Sequence, residues 1–159
     1  MDESVKTFTK ATKRLTKVYE QKERLTRRIA EKEAELENVS SSWNFGAVRN
    51  TPDQSRAEYR RLSLYEKKDA LEQRYNACVN YIKWISNVIG ACSADLRNYM
   101  IEKYVLRRDT ETLVSEMASL NPATRVVKRM DMAVSEDLRR VVTPERIAEL
   151  ERIEAEMRG

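Results

Sequence analysis

The densest grouping of chemically capable side chains lies between residues 121 and 130. Asn121, Thr124, Arg125, Lys128 and Arg129 fall there with no acid among them, so the stretch carries a charge of +3. Asn and Thr both donate and accept hydrogen bonds, Arg presents a planar fork, and Lys presents a point charge. On a helix, Thr124 and Lys128 share one face, and Arg125 and Arg129 share the neighbouring one. Asn121-Pro122 supplies the start, with Asn at the N-cap and Pro at the first helical position. Val126, Val127 and Met130 are expected to turn inward. Arg107 and Arg108 lie just ahead, placed to grip phosphates. This menu suits base edges and phosphates in a major groove about 12 Å wide, so double-stranded DNA is one candidate partner and plain packing within a helical module is the other reading.

Other chemistry finds little footing. The chain of 159 residues has no histidine and two cysteines. The commonest general base and the commonest zinc ligand are therefore missing. There is no glycine-rich phosphate loop, and Asp95, Glu102 and Glu116 read as surface charges. No catalytic residue, cofactor or metal is expected, and the chain reads as a non-enzyme. Cys78 and Cys92 are fourteen residues apart, about 21 Å along a helix, too far to bond within one chain. As buried thiols they suit a reducing, cytoplasmic setting. Charge from Asp2 onward argues against a signal peptide, and no apolar run reaches the ~20 residues of a membrane span.

Charged residues make up 35% of the chain, with Gly and Pro at only 3 each. That scarcity of turn residues, without strand-type alternation, predicts an all-α fold. The net charge of +4 is unevenly spread. Residues 4–30 hold nine basic side chains against Glu20 and Glu23, a net +7. Residues 143–159 hold five Glu against three Arg, a net −2, and residues 93–142 hold nine basic against eight acidic, a net +1. The basic arm is either a solvated helix face or a track for a phosphate backbone.

Positioning falls to two long heptad stretches. Phe8, Ala11, Leu15, Val18, Lys22, Leu25, Ile29, Lys32, Leu36 and Val39 alternate at spacings of three and four. Leu64, Lys68, Leu71, Tyr75, Cys78, Ile82, Ile85, Ile89 and Cys92 repeat the pattern. This is a coiled-coil seam. It predicts helices over 4–39 and 56–91, joined by a connector over 40–53 that contains Trp43, Phe45, Val48 and Pro52. Asp53 or Ser55 is expected to cap the second helix. Equal lengths predict a long antiparallel coiled-coil helical hairpin over 1–92. Leu15, Leu25, Ile29 and Leu36 should pack against Leu71, Tyr75, Ile82 and Ile85. Tyr81, Trp84 and Val88 add a second apolar stripe that residues 94–142 or another chain should cover.

Gly90 is the expected end of the second helix, with Ser93 and Asp95 opening the next. A small module over 93–142 then follows, with short helices at Ala94–Arg107, Thr110–Ala118 and Pro122 to about Val142. Thr143-Pro144-Glu145 opens a C-terminal amphipathic tail helix over 143–159 that carries Ile147, Leu150, Ile153 and Met157. Two short helices joined by a brief turn, the second beginning with small polar and basic residues, form the helix-turn-helix arrangement.

The stretch Leu96-Arg97, Met100, Glu102-Lys103-Tyr104-Val105, Thr110-Glu111-Thr112-Leu113-Val114-Ser115-Glu116-Met117 and Val126-Val127-Lys128-Arg129 resembles the C-terminal module of phage transcription activators of the RinA and ArpU type. Those modules resemble region 4 of sigma factors. Ser41-Ser42-Trp43-Asn44 between two heptad helices is similar to that family's hairpin loop. Val114 stands where the family has a small Ala, Lys103 where it has Arg, and the turn lacks Gly. The resemblance implies a sigma-like, DNA-binding transcription regulator of phage or prophage type. Asn121, Thr124, Arg125, Lys128 and Arg129 would face DNA, and RNA polymerase is a further candidate partner. The hairpin implies a homo-oligomer, with a dimer favoured. The alternative is a coiled-coil oligomeric assembly protein or a DNA-packaging protein of the small terminase kind.

Overall fold

The computed structural model describes residues 2–46, 52–107 and 123–159, and the side chains of 2–39, 56–107 and 129–159. The described residues are helical, with six α-helices and no strand. These are α1 (Glu3–Lys13), α2 (Leu15–Gly46), α3 (Pro52–Ala91), α4 (Ala94–Met100), α5 (Ala123–Val141) and α6 (Pro144–Arg158). A π-helical turn, Ile101–Val105, extends α4.

The first heptad stretch is two helices rather than one. The chain breaks stride at Arg14 (φ −84°, ψ −7°) between α1 and α2. Two threonine hydroxyls bond to the backbone one turn earlier. Thr9 Oγ1 donates to the Val5 carbonyl at 2.7 Å. Thr12 Oγ1 donates to the carbonyls of Phe8 and Thr9, both at 3.0 Å. Hydroxyls that bond back to the preceding turn bend helices. The Val18 amide still reaches the Arg14 carbonyl at 3.0 Å, so the axis bends without parting.

The connector is also shorter than expected. α2 continues through Ser40 to Gly46, and α3 already begins at Pro52. Serine is only mildly unfavourable inside a helix, and no Gly or Pro stands before Gly46 to stop it. Pro52 fits a first helical turn, where its missing N–H has no intrahelical partner to lose. Asp53 and Ser55 therefore lie inside α3 rather than capping it. Trp43 and Phe45 fall on α2, and Val48 lies outside the described residues.

The α1–α2 arm and α3 run antiparallel. Lys68 Nζ lies 3.4 Å from Glu33 Oε1. Lys22 Nζ sits 5.9 Å over the Tyr75 ring. Tyr81 Oη donates to the Ala11 carbonyl at 2.7 Å. Numbers fall along one arm as they rise along the other. Phe8, Ala11, Leu15, Val18, Leu25, Leu71, Cys78, Ile85, Ile89 and Cys92 are buried in one core, with Ile29, Tyr75 and Ile82 partly buried against it. Towards the far end the seam thins to Leu36, Val39 and Leu64. Lys22, Lys32 and Lys68 occupy seam positions by lying half-buried, ammonium outward. Their aliphatic stems cover apolar surface while the charge meets Tyr75, Glu35 or Glu33.

The second stripe of α3 finds its cover within the chain. Trp84 is buried, and its Nε1 donates to the Arg146 carbonyl at 3.0 Å. The tail helix α6 lies along α3 and brings Leu150, Ile153 and Met157 into the same core. The cover for the stripe thus includes the tail helix beyond residue 142, with Met100, Val134 and Leu138 of the 94–142 segment in the same core. Thr143 caps α6, accepting from the Arg146 amide at 3.3 Å, with Pro144 in the first turn. Among the described residues no helix is long and apolar enough to cross a membrane.

Candidate nucleic-acid interface

Helix α5 carries four of the seven residues expected to face DNA, with Thr124, Arg125, Lys128 and Arg129 in its first two turns. Its later turns are anchored. Val134, Leu138 and Val141 are buried in the core, with Met130 partly buried ahead of them. Arg129 is exposed. The side chains of Thr124, Arg125, Val126, Val127 and Lys128 lie outside the described set, as do Asn121, Pro122 and Arg108 as whole residues. The helix expected at Thr110–Ala118 falls there too. The third short helix is described over Ala123–Val141 and ends close to the expected Val142.

Arg107 is exposed but not helical. The helix expected over Ala94–Arg107 is regular only to Met100, then widens into the π turn. The Leu106 amide returns to the Ile101 carbonyl at 2.8 Å. Arg107 follows with φ 53°, the left-handed region that non-glycine residues rarely enter. The π turn ends at Val105, two residues before it.

A polar cluster docks α5 on the α4–π segment. Asp131 accepts from Tyr99 Oη, and Lys103 Nζ approaches the same carboxylate oxygen at 2.5 Å. The Lys103 ammonium also lies 5.7 Å from the Tyr99 ring centre and 5.4 Å from that of Tyr104. The Tyr104 ring meets Phe8 edge-on at 5.2 Å, tying the cluster to α1. Burial, and then the bond to Asp131, push the Tyr99 phenol well above its ordinary pKa. The phenol stays protonated as a donor. Asp131 follows Arg129 by two residues, so this latch fixes the helix beside its basic turns.

A second latch lies at the far end of α5. Asp137 Oδ2 accepts from the Ser93 amide at 2.7 Å, at the N-cap of α4. The Ser93 side chain makes no cap bond, and the free amide of this N-cap residue is satisfied from α5 by Asp137. The Ser93 backbone bond, then the Ser93 hydroxyl, hold the Asp137 carboxyl below the usual carboxylate range, and Arg140 adds to this while burial opposes it. At the α5–α6 corner, Ser4 Oγ donates to the Val142 carbonyl at 2.8 Å, and Asp2 pairs with Arg139 at 2.7 Å.

Sequence reasoning missed both latches. Asp131 stands as a lone acid directly after a basic run, the one signal that was present. Nothing local marks Tyr99, Lys103 or Ser93 as its partner or that of Asp137, because those pairings span 28 to 44 residues.

Among the described residues no cluster of His, Cys, Asp and Glu is arranged to hold a metal ion. Cys78 and Cys92 are free and buried, and burial raises both thiol pKa values. The chain matches no family model, no curated protein and no solved structure.

Proposed function

We propose that this chain is a DNA-binding transcription regulator of phage or prophage type, with a sigma region 4-like helix-turn-helix carried on an antiparallel coiled-coil hairpin. The observation that carries the reading is the division of labour along α5. Its first two turns hold Thr124, Arg125, Lys128 and Arg129 with no acid, while Val134 and Leu138 seat the same helix in the core. A recognition helix needs that arrangement, with a rigid apolar back and a cationic leading end. Asn121 at the entry and Arg107 with Arg108 before the motif add donors for backbone phosphates. The resemblance to RinA- and ArpU-type activators supports the same reading and suggests RNA polymerase as a further partner.

A second reading, an oligomeric coiled-coil assembly or DNA-packaging protein, is favoured by one observation. Tyr59 and Leu62 are largely exposed on the first turns of α3, with Tyr65 partly so. Such a patch suits a partner helix. Solution mass together with duplex-DNA binding at two salt concentrations tests the choice. A monomer or dimer that binds duplex with a steep salt dependence supports the regulator. A ring-sized oligomer supports assembly, and a chain that leaves duplex DNA unbound contradicts the regulator.

A further inference from the structure

Away from α5, the end of the tail helix meets the two long helices at an open groove of about 470 Å³. Its lining is Gln21, Arg24, Leu25 and Arg28 of α2, Arg74 of α3, and Met157 with Arg158 of α6. Four guanidinium groups line this groove, no Asp or Glu is among its lining residues, and Gly159 lies against Arg74 at its edge. Two of the polar side chains have a structural task. Gln21 Nε2 and Arg74 Nε donate to the Met157 carbonyl at 3.0 and 3.2 Å, closing the last turn of α6. The other three do not. Arg24, Arg28 and Arg158 are exposed and make no ion pair or side-chain hydrogen bond among the described residues. Nearby Arg14 shows the contrast, since it pairs with Glu154 of α6 at 3.4 Å.

Like charges gathered on three elements repel one another unless an anion joins them. Buried Leu25 and Met157 form the apolar floor, which lowers the local dielectric beneath the guanidinium groups. Arginine forks match the oxygens of a phosphate two at a time. Exposed Lys17 and Lys10 stand one and two heptads before Arg24 and continue the positive strip along the arm. A strip of spaced cations leading into an arginine-lined groove suits a chain of phosphates better than a single small anion.

We infer that this groove is a second phosphate-contact site, taking the sugar–phosphate backbone of a DNA duplex through Arg24, Arg28 and Arg158. The inference rests on the DNA-binding reading above and assigns the hairpin arm a direct part in it. These contacts carry no sequence information, so they add affinity and salt dependence without changing site preference.

The test compares the full chain with its Arg24→Gln/Arg28→Gln/Arg158→Gln variant on one specific and one scrambled duplex, by fluorescence anisotropy across a salt series. Arg74 is left in place, and a thermal melt checks that the variant is folded. The expected result is weaker binding to both duplexes by a similar factor, with the log–log salt slope smaller by about 2–3 units. The matching triple Lys variant, which keeps the charge, should recover most of that slope. If the wild-type chain binds duplex and the Gln variant has the same slope and affinity, the groove inference is overturned while the α5 reading stands. If the wild-type chain binds no duplex, both fall. A parallel titration with pyrophosphate, followed through arginine Nε–H NMR signals, separates the two phosphate sources. Saturable pyrophosphate binding at these arginines, without any effect of the variant on duplex binding, would overturn the backbone assignment in favour of a small phosphate ligand.

Discussion

The indole nitrogen of Trp84, about two turns from the end of α3, donates to the backbone carbonyl of Arg146, in the first turn of α6. That bond joins the hairpin to the tail. Around it Ile85, Val88, Leu150 and Ile153 belong to the same core. The tail helix, which its own sequence marks only as an amphipathic segment, is therefore part of the fold's core.

Removing it should show this directly. A chain ending at residue 142 exposes Trp84, so its fluorescence should shift to the red and the melting temperature should fall. Within the full chain, Trp84→Phe loses the bond to Arg146 and part of the ring, a cost of about 1–2 kcal/mol. Trp84→Ala should cost about 3–5 kcal/mol in a urea melt. Unchanged fluorescence and stability in the truncated chain would contradict the packing.

Asp137 predicts a pH dependence. Its carboxyl pKa is lowered in the folded chain, chiefly by the Ser93 amide. A lowered folded-state pKa stabilises the fold above the ordinary Asp value of about 4 and ceases to do so as pH falls through the lower native value. Asp137→Asn removes the titration. The stability gap between wild type and this variant should stay constant from about pH 7 to pH 5, then close below about pH 4. A gap that persists unchanged to about pH 2 would contradict the assignment.

The two cysteines predict a chemical silence. Thiolate is the reactive form, and burial raises the pKa of both Cys78 and Cys92. The native chain near pH 8 should react with a disulfide reagent at a small fraction of the rate of the urea-unfolded chain. Rapid modification of either thiol in the folded state would show that the core around Ile85 and Val88 opens readily.

The helical fold and most of its core positions were legible in the heptads because burial repeats at a fixed spacing, from Phe8 to Val39 and from Leu64 to Cys92. The start of the tail was legible in Thr143-Pro144 for a local reason, since one hydroxyl meets one amide three residues on. The break at Arg14 was not. Beside it lie Thr9 and Thr12, whose hydroxyls bond backwards, and threonine next to a seam reads only as a neutral filler. The run of α2 to Gly46 was hidden by three serines that read as a loop but are permissive in a helix. Within the candidate interface, the basic turns of α5 were legible from charge alone. The Asp131 and Asp137 latches were not, because each joins residues distant in sequence and takes its meaning from the packing of α4 on α5.

The central proposal is that the leading turns of α5 bind duplex DNA, and anisotropy with wild type and the Arg125→Ala/Lys128→Ala double variant tests it most directly. Measurements at about 50 mM and about 200 mM salt separate base from phosphate contacts. The account predicts a steep salt dependence for the wild type. In the double variant, loss of the Arg125 contact should cost about 1–3 kcal/mol and relax sequence preference, and loss of Lys128 should reduce the salt slope by about one unit. Equal affinity and equal slope for the two proteins, with the double variant folded, would contradict it.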